Sequence, residues 1–268
     1  MGKKLLRVLW AVVLVSVMAG CCYAASPEKK KIVLGVRADI IGMYEAIKPE
    51  LDALGYEIEM KSFNDSIQPN QALAEGSIDV NWYQHEQYMR SYNEANKTNF
   101  VMIRPKTYGN LFAMYSTKWD APDKLPDGAL IGLCNDVTNQ DRGLKMLQSQ
   151  GLIKLDPSVA IATVHDIKEN PHQFKFKEAE MQMLPQAIND LDAICLAAMH
   201  MVNAGKDPSA YIGKSDDENE YAVGFVVRGE DKDAGWAKAI ANAAQCDALS
   251  VYLKEVKKGA NIPLWQKN

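Results

Sequence analysis

Several absences narrow this 268-residue chain. Past the first twenty residues no apolar run is long enough to cross a bilayer, which takes about 20 residues. Cysteine is scarce: of five, two are adjacent at Cys21 and Cys22, and Cys134, Cys195 and Cys246 stand far apart with no Cys-x-x-Cys. Neither a disulfide framework nor a metal site is written into that spacing. No Gly-x-Ser-x-Gly elbow, His-Glu-x-x-His helix or glycine-rich phosphate loop occurs, so the familiar hydrolase, metalloprotease and nucleotide signatures are missing. Basic residues are outnumbered, 30 against 34 acidic. Without a cationic stripe to neutralise phosphates, nucleic acid is not an expected partner.

What is present begins with Lys3, Lys4 and Arg7 ahead of the apolar run Val8–Ala19, the two opening regions of a secretory leader. Met18-Ala19-Gly20-Cys21 has the form of a bacterial lipoprotein signal. It predicts a leader over 1–20, lipidation at Cys21, a polar tether over 21–31, and a protein held at the periplasmic face of a membrane in the cell envelope. Cleavage after Cys22-Tyr23-Ala24 is the competing reading and leaves the protein soluble in the periplasm. Without the leader's three cations, 27 basic residues face 34 acidic ones, a net charge of −7.

From Lys31 the pattern alternates. Strands are predicted at Lys31–Val36, Glu57–Phe63, Ile78–Trp82 and Thr98–Pro105, separated by helices at Ile40–Leu54, Pro69–Glu75 and Glu86–Asn96. A second strand group begins at Leu111–Tyr115 and continues with Ala129–Cys134, a helix from Thr138, Phe174–Phe176, a helix over Leu184–Leu191, and Asp192–Ala198. After the acidic loop Ser215–Glu220, read as a solvated connection, come a strand over Tyr221–Arg228 and helices over Asp233–Cys246 and Ala248–Lys257. This order predicts an α/β fold of two lobes, 32–109 with 222–268 and 110–221, each a mostly parallel sheet flanked by helices. Ligands in such sheets bind at the carboxyl ends of strands. Those ends place Gln84-His85 across a cleft from Asn135-Asp136, Arg142 and Ala198-Met199-His200. Trp82 and Tyr83 alternate, so one should face core and the other the cleft.

The stretch Cys134-Asn-Asp-Val-Thr-Asn-Gln-Asp-Arg142 draws most attention. Thr138 reads as the helix N-cap with Asp141 completing a capping box. Arg142 then sits in the first turn against the helix dipole. A cation there, beside free N–H groups, makes a site for a carboxylate or phosphate; the plainer reading is an arginine that is solvated or paired with Asp141.

Phe63-Asn-Asp65, Pro69-Asn-Gln-Ala-Leu-Ala-Glu-Gly-Ser-Ile-Asp79, Asn81-x-x-Gln84-His85, Asn135-Asp136-x-Thr138-Asn139-x-x-Arg142, Gly151-Leu-Ile-Lys-Leu155 and Glu169-Asn-Pro171 together resemble the NlpA/MetQ family across nearly the whole mature chain. These are lipid-anchored, methionine-binding receptors of ABC importers with the type II periplasmic-binding-protein fold. The resemblance implies an amino acid or short peptide as ligand, ABC permease and ATPase subunits as partners, and no cofactor or metal. It implies that Arg142 takes the ligand carboxylate and that Tyr83, His85 and Tyr88 form a cage around a thioether. The sequence departs from the family where a cage tyrosine is replaced by Ser66, two asparagines by His200 and Val223, and an aromatic by Asn110, with Tyr108 close by. Each lost partner to a buried charged group costs roughly 1.5–3 kcal/mol, so a shifted specificity is expected.

Plainer roles stand beside these. His85 caps its helix, His200 is a satisfied core histidine, and Met181, Met183, Met199 and Met201 are packing. Two other classes compete: a ligand-sensing or adhesive surface lipoprotein, and a hydrolase using Cys134 with His85 as base.

Overall fold

The computed structural model describes residues 31–266. The leader, the lipidation site Cys21 and the tether up to Lys30 lie outside the described residues. In chain order the elements are β1 (Lys31–Arg37), α1 (Ile41–Asp52), β2 (Glu57–Phe63), α2 (Gln68–Ala74), β3 (Val80–His85), α3 (Glu86–Asn96), β4 (Val101–Met102), β5 (Tyr108–Asn110) and β6 (Phe112–Tyr115). They continue with β7 (Leu130–Cys134), α4 (Val137–Ser149), β8 (Lys154–Leu155), β9 (Ile167–Glu169), β10 (Lys175–Ala179), α5 (Leu184–Ala187), β11 (Ala193–Ala197) and α6 (Met199–Asn203). The last are β12 (Tyr211–Lys214), β13 (Val223–Val227), α7 (Gly235–Ala243), α8 (Asp247–Glu255) and β14 (Asn261–Pro263).

Two sheets organise them. The first runs β14-β5-β13-β3-β1-β2 with β4 against β13; the second runs β10-β7-β11-β6-β12. Each has a parallel centre, β1 with β2 and β3 in one and β7 with β10 and β11 in the other. Antiparallel strands extend both, so the sheets are mixed. The cause is the route of the chain. Only Leu111 separates β5 of the first sheet from β6 of the second, so β6 begins where β11 ends, with Phe112 opposite Ala197. On the return, β13 begins beside the end of β3, with Val223 opposite His85. A strand that enters at the end where its neighbours finish must run against them.

Alternation explains the strands. Ile32, Leu34 and Val36 of β1 are fully buried; β11 is buried on both faces along its whole length, as expected of a strand covered by helices. Gly143 lets α4 lie close on the second sheet, for a Cβ there would meet Leu133 at 3.0 Å. The strand expected over Thr98–Pro105 shrinks to β4: past Ile103, whose N–H donates to Phe225 O at 2.7 Å, Pro105 has no N–H to offer a ladder. The helix expected over Leu184–Leu191 is a single turn, α5.

Candidate functional site

The carboxyl ends of β1, β3, β7, β10 and β11 converge on one cleft enclosing about 950 Å³, its open mouth included. On β3 the alternation holds. Trp82 is fully buried and stacked on Phe225 at 5.0 Å, while Tyr83 turns to the cleft. The hydroxyls of Tyr83 and Tyr88 both donate to Ser66 O, at 2.8 and 3.0 Å, which fixes the two rings edge to face. Behind them Asn70, Asn81 and Gln84, all buried, form a closed amide network with contacts of 2.7 to 3.0 Å. The network braces the end of β3 and so the placement of His85.

His85 caps α3: its Nδ1 accepts from the Tyr88 N–H at 3.1 Å. The ring proton therefore belongs on Nε2, which lies 3.2 Å from Asn139 Oδ1 on α4 and donates to it. Burial, and then the charge of Arg142, hold the His85 pKa down at about 4, so the ring is neutral at physiological pH.

Across the cleft the N-cap of α4 is Asp136, not Thr138. Asp136 accepts from the Asn139 N–H at 2.9 Å and from the Thr138 hydroxyl at 2.9 Å. Asp141 makes no capping box; it accepts from Lys145 at 2.6 Å and from the Ala162 N–H at 2.8 Å. Arg142 is 1% exposed. Its Nε and Nη2 donate to the two oxygens of Asp217 at 2.9 and 2.6 Å, and Nη2 also donates to Asn110 O at 2.8 Å. The rings of Tyr221 and Phe112 stand 4.3 and 4.7 Å from its guanidinium carbon. The acidic loop is thus more than a solvated connection, because a buried guanidinium requires a counter-charge and Asp217 supplies it.

Of the residues singled out in the sequence, Ser66, Tyr83, His85, Tyr88, Asn110, Arg142 and His200 all lie on the cleft wall. Tyr108 and Val223 do not. They face one another in register between β5 and β13, each 1% exposed, with Tyr108 edge-on to Trp82; both side chains belong to the core. Met181 and Met199, expected as packing, line the cleft, and Met183 is largely exposed. Asn139, named only within the family motif, lines it too, as do Arg37, Glu180 and Gln182, which were not singled out. Arg37 was within reach, being the last residue of β1 and hence at a strand's carboxyl end.

Cys134 is fully buried with its Sγ 3.8 Å from Cys195 O, and burial pushes its thiol well above the usual range. A Cys134–His85 hydrolase therefore has no nucleophile at the cleft. Among the described residues no group of three or more His, Cys, Asp or Glu is placed to hold a metal ion, and no helix is long and apolar enough to cross a membrane.

The sequence model of the NlpA lipoprotein family matches residues 32–265. The chain belongs to that family. Among its relatives, the D-methionine-binding lipoprotein MetQ of Escherichia coli K12 is 33% identical over 246 residues, covering 88% of each chain. The methionine-binding lipoprotein MetQ of Bacillus subtilis 168 is 29% identical over 273 residues, covering 98% of this chain and 99% of its own. A solved nutrient binding protein from Burkholderia cenocepacia bound to methionine superposes with a TM-score of 0.82 at 30% identity, covering 87% of this chain and all of that one. The fold of this NlpA-family chain is therefore that of the methionine-binding periplasmic proteins.

Proposed function

We propose that this NlpA-family protein is the receptor of an ABC importer: lipid-anchored outside the cytoplasmic membrane, it closes two lobes, 32–109 with 222–268 and 110–221, on an amino acid of the methionine type and delivers it to a permease–ATPase complex. The observation that carries the reading is the convergence of Tyr83 and His85 on β3 and Tyr88 on α3 with Asn139 on α4 and Met199 and His200 on α6 on a single cleft. Two tyrosines and a neutral imidazole make an apolar, polarisable corner suited to a thioether or similar side chain. A guanidinium on the wall suits the carboxylate of an amino acid; Arg142 keeps Nη1 without a protein partner among the described residues. His85 Nε2 to Asn139 Oδ1 joins the two sheets across the cleft, a contact that lobe closure would make and opening would break.

Specificity is proposed to be shifted from methionine. Ser66 and Asn110 leave room on the wall, and His200 brings a ring where the family carries an amide. Isothermal calorimetry against the twenty L-amino acids, D-methionine and methionine-containing dipeptides tests both parts. Binding of one amino acid or short peptide with micromolar or tighter Kd supports the receptor; sub-micromolar L-methionine as the best ligand overturns the shift alone; no binding across the panel overturns the amino-acid reading.

A further inference from the structure

Beyond the aromatic corner the cleft runs on into a second chamber of about 530 Å³, its open side included. Arg37, Gln182 and His200 stand on the walls of both and form the doorway between them. None of the three carries a negative charge. Apart from Phe63 and two alanines the second chamber is walled by polar side chains, and among the described residues Asp39 is its one carboxylate. His200, on α6, is 5% exposed and makes no hydrogen bond among the described residues. Burial, and then the charge of Arg37, hold its pKa at about 4, so the ring is neutral at physiological pH. A neutral imidazole has one N–H to donate and one lone pair to offer, and a ring so deeply buried calls for a partner.

The charges around the doorway decide what that partner can be. Asp39 Oδ2 accepts from Arg37 Nη2 at 2.8 Å and from Asn203 Nδ2 at 3.2 Å, and its Oδ1 is buried, so this carboxylate is spent within the wall. Behind it Lys257 Nζ donates to Asp39 O and Asn203 Oδ1, each at 3.1 Å, and adds a second cation. The carboxylates of the first chamber are engaged in their own turns. Asp65 Oδ1 accepts from the N–H groups of Ile67 and Gln68 at 2.7 and 2.8 Å, Asp136 caps α4, and Glu180 accepts from Gln182 Nε2 at 2.8 Å. An ammonium at the doorway would meet two cations and one paired carboxylate, and would exchange its water for a single imidazole lone pair. An uncharged amide meets the same wall without that penalty. Whichever ring nitrogen of His200 carries the proton, an amide has the complementary group, a C=O for the N–H or an N–H for the lone pair.

Resting on the amino-acid reading above, we infer that the ligand is an amino acid whose nitrogen carries a small uncharged acyl group, with its amide in the doorway against His200 and the acyl group in the second chamber. The carboxylate lies on the Arg142 side of the cleft and the side chain runs toward Tyr83 and Tyr88. Three arms of one ligand then meet three chemistries: a guanidinium, an aromatic corner and a polar chamber without a free negative charge. A free amino acid fills the first two and leaves the third to water. His200 is the specificity-determining residue, because its unused ring bonds face the one atom, the ligand nitrogen, at which the free and acylated forms differ.

The test is calorimetry on the full mature protein with the twenty L-amino acids, their N-acetyl forms, and the glycyl dipeptide of whichever acetyl form binds best. The best acetyl form is expected to bind at least about tenfold tighter than its free amino acid, the size of one buried polar group gaining or losing its partner. Acetyl and glycyl groups share the same acyl atoms and differ by one ammonium, so the glycyl form is expected to bind at least about tenfold more weakly than the acetyl form. Ala204 lines the second chamber alone; Ala204→Phe fills it and is expected to bring the acetyl preference below about threefold while the free amino acid binds as before. His200→Leu keeps the volume of the ring, removes its bonds, and serves for the same readout if Ala204→Phe does not fold. A wild type that prefers the free amino acid or the glycyl form, or a folded variant that keeps the full acetyl preference, overturns the inference and leaves the receptor standing. If neither the free nor the acetylated series binds, the amino-acid reading falls and this assignment falls with it.

Discussion

A guanidinium that is 1% exposed has to be neutralised from within the protein, and Arg142 is met on one edge by Asp217 and stands over two aromatic rings. Its neighbour in sequence, Asp141, points to Lys145 and the Ala162 amide instead. Removing one member of a buried pair strands the other, at a cost of about 3–5 kcal/mol. Because Asp217 is 22% exposed, Asp217→Asn is expected at the lower end of that range, measured as the loss of unfolding free energy in urea. A change below about 1 kcal/mol would mean that Arg142 is held chiefly by Asn110 O and the aromatic rings. At this scale the sequence marked Arg142 as unusual, and its partner lay hidden 75 residues away in a loop whose acidic run reads like any solvated connection.

Helix α4 places Arg142, and what starts α4 decides its register. Asp136 accepts from the backbone N–H of Asn139 and orients the Asn139 amide with both its oxygens, while Thr138 only donates to it. Loss of an N-cap of this kind costs typically about 1 kcal/mol. Asp136→Ala should therefore lower stability by about 1 kcal/mol or more, and Thr138→Ala by a few tenths. The reverse order in denaturant unfolding would return the cap to Thr138. Both residues suit a cap by type, and they lie two apart in a run of Asn, Asp and Thr. Sequence gives the helix its start within two residues, and only backbone dihedrals choose between them. On the other side of the cleft His85 plays a comparable part at α3, and a cap made by an imidazole lone pair is one that acid can remove.

Protonation links these details to the stability of the whole molecule. Burial is the first cause that holds both His85 and His200 at about 4, followed by Arg142 for His85 and Arg37 for His200, with Asp136 and Asp39 partly opposing. An unfolded histidine titrates near 6.5. Between those values the unfolded chain binds more protons than the folded one, so stability falls as pH falls from about 6.5 toward about 4. Each histidine contributes up to about 3 kcal/mol of that loss. Urea midpoints at pH 7.5, 6.5, 5.5 and 4.5 should drop steadily below 6.5, and His200→Asn should flatten the slope by about half. A midpoint unchanged from pH 7.5 to 5 would show that both rings reach water. Ligand acts in the other direction. At a concentration of 100 times its Kd, a ligand of the folded state alone adds about 2.7 kcal/mol, a rise in Tm of roughly 5–10 °C for a protein this large. A calorimetric ligand that fails to raise Tm would be binding the unfolded chain as well, outside the closed cleft.

The short strands β5, β8, β9, β12 and β14 were not legible in the sequence alone, whereas the larger strands and helices, the parallel centre of each sheet and the opposite facing of Trp82 and Tyr83 were. Each depends on local periodicity or on residues within a few positions of one another. The buried Asn70, Asn81 and Gln84 network was not read from the sequence, because which amides meet depends on how α2 packs beside β3. What only the tertiary structure decided is which charges pair with which. Arg142 and Arg37 are equally cationic in the sequence, and Asp217 and Asp39 equally acidic. Folding brings Asp217 flat against the fork of Arg142. It pairs Arg37 with Asp39 instead, and buries the second oxygen of Asp39 without a partner. Electrostatic neutralisation is set by distances of a few ångströms between segments far apart in the chain, and no local pattern encodes those distances.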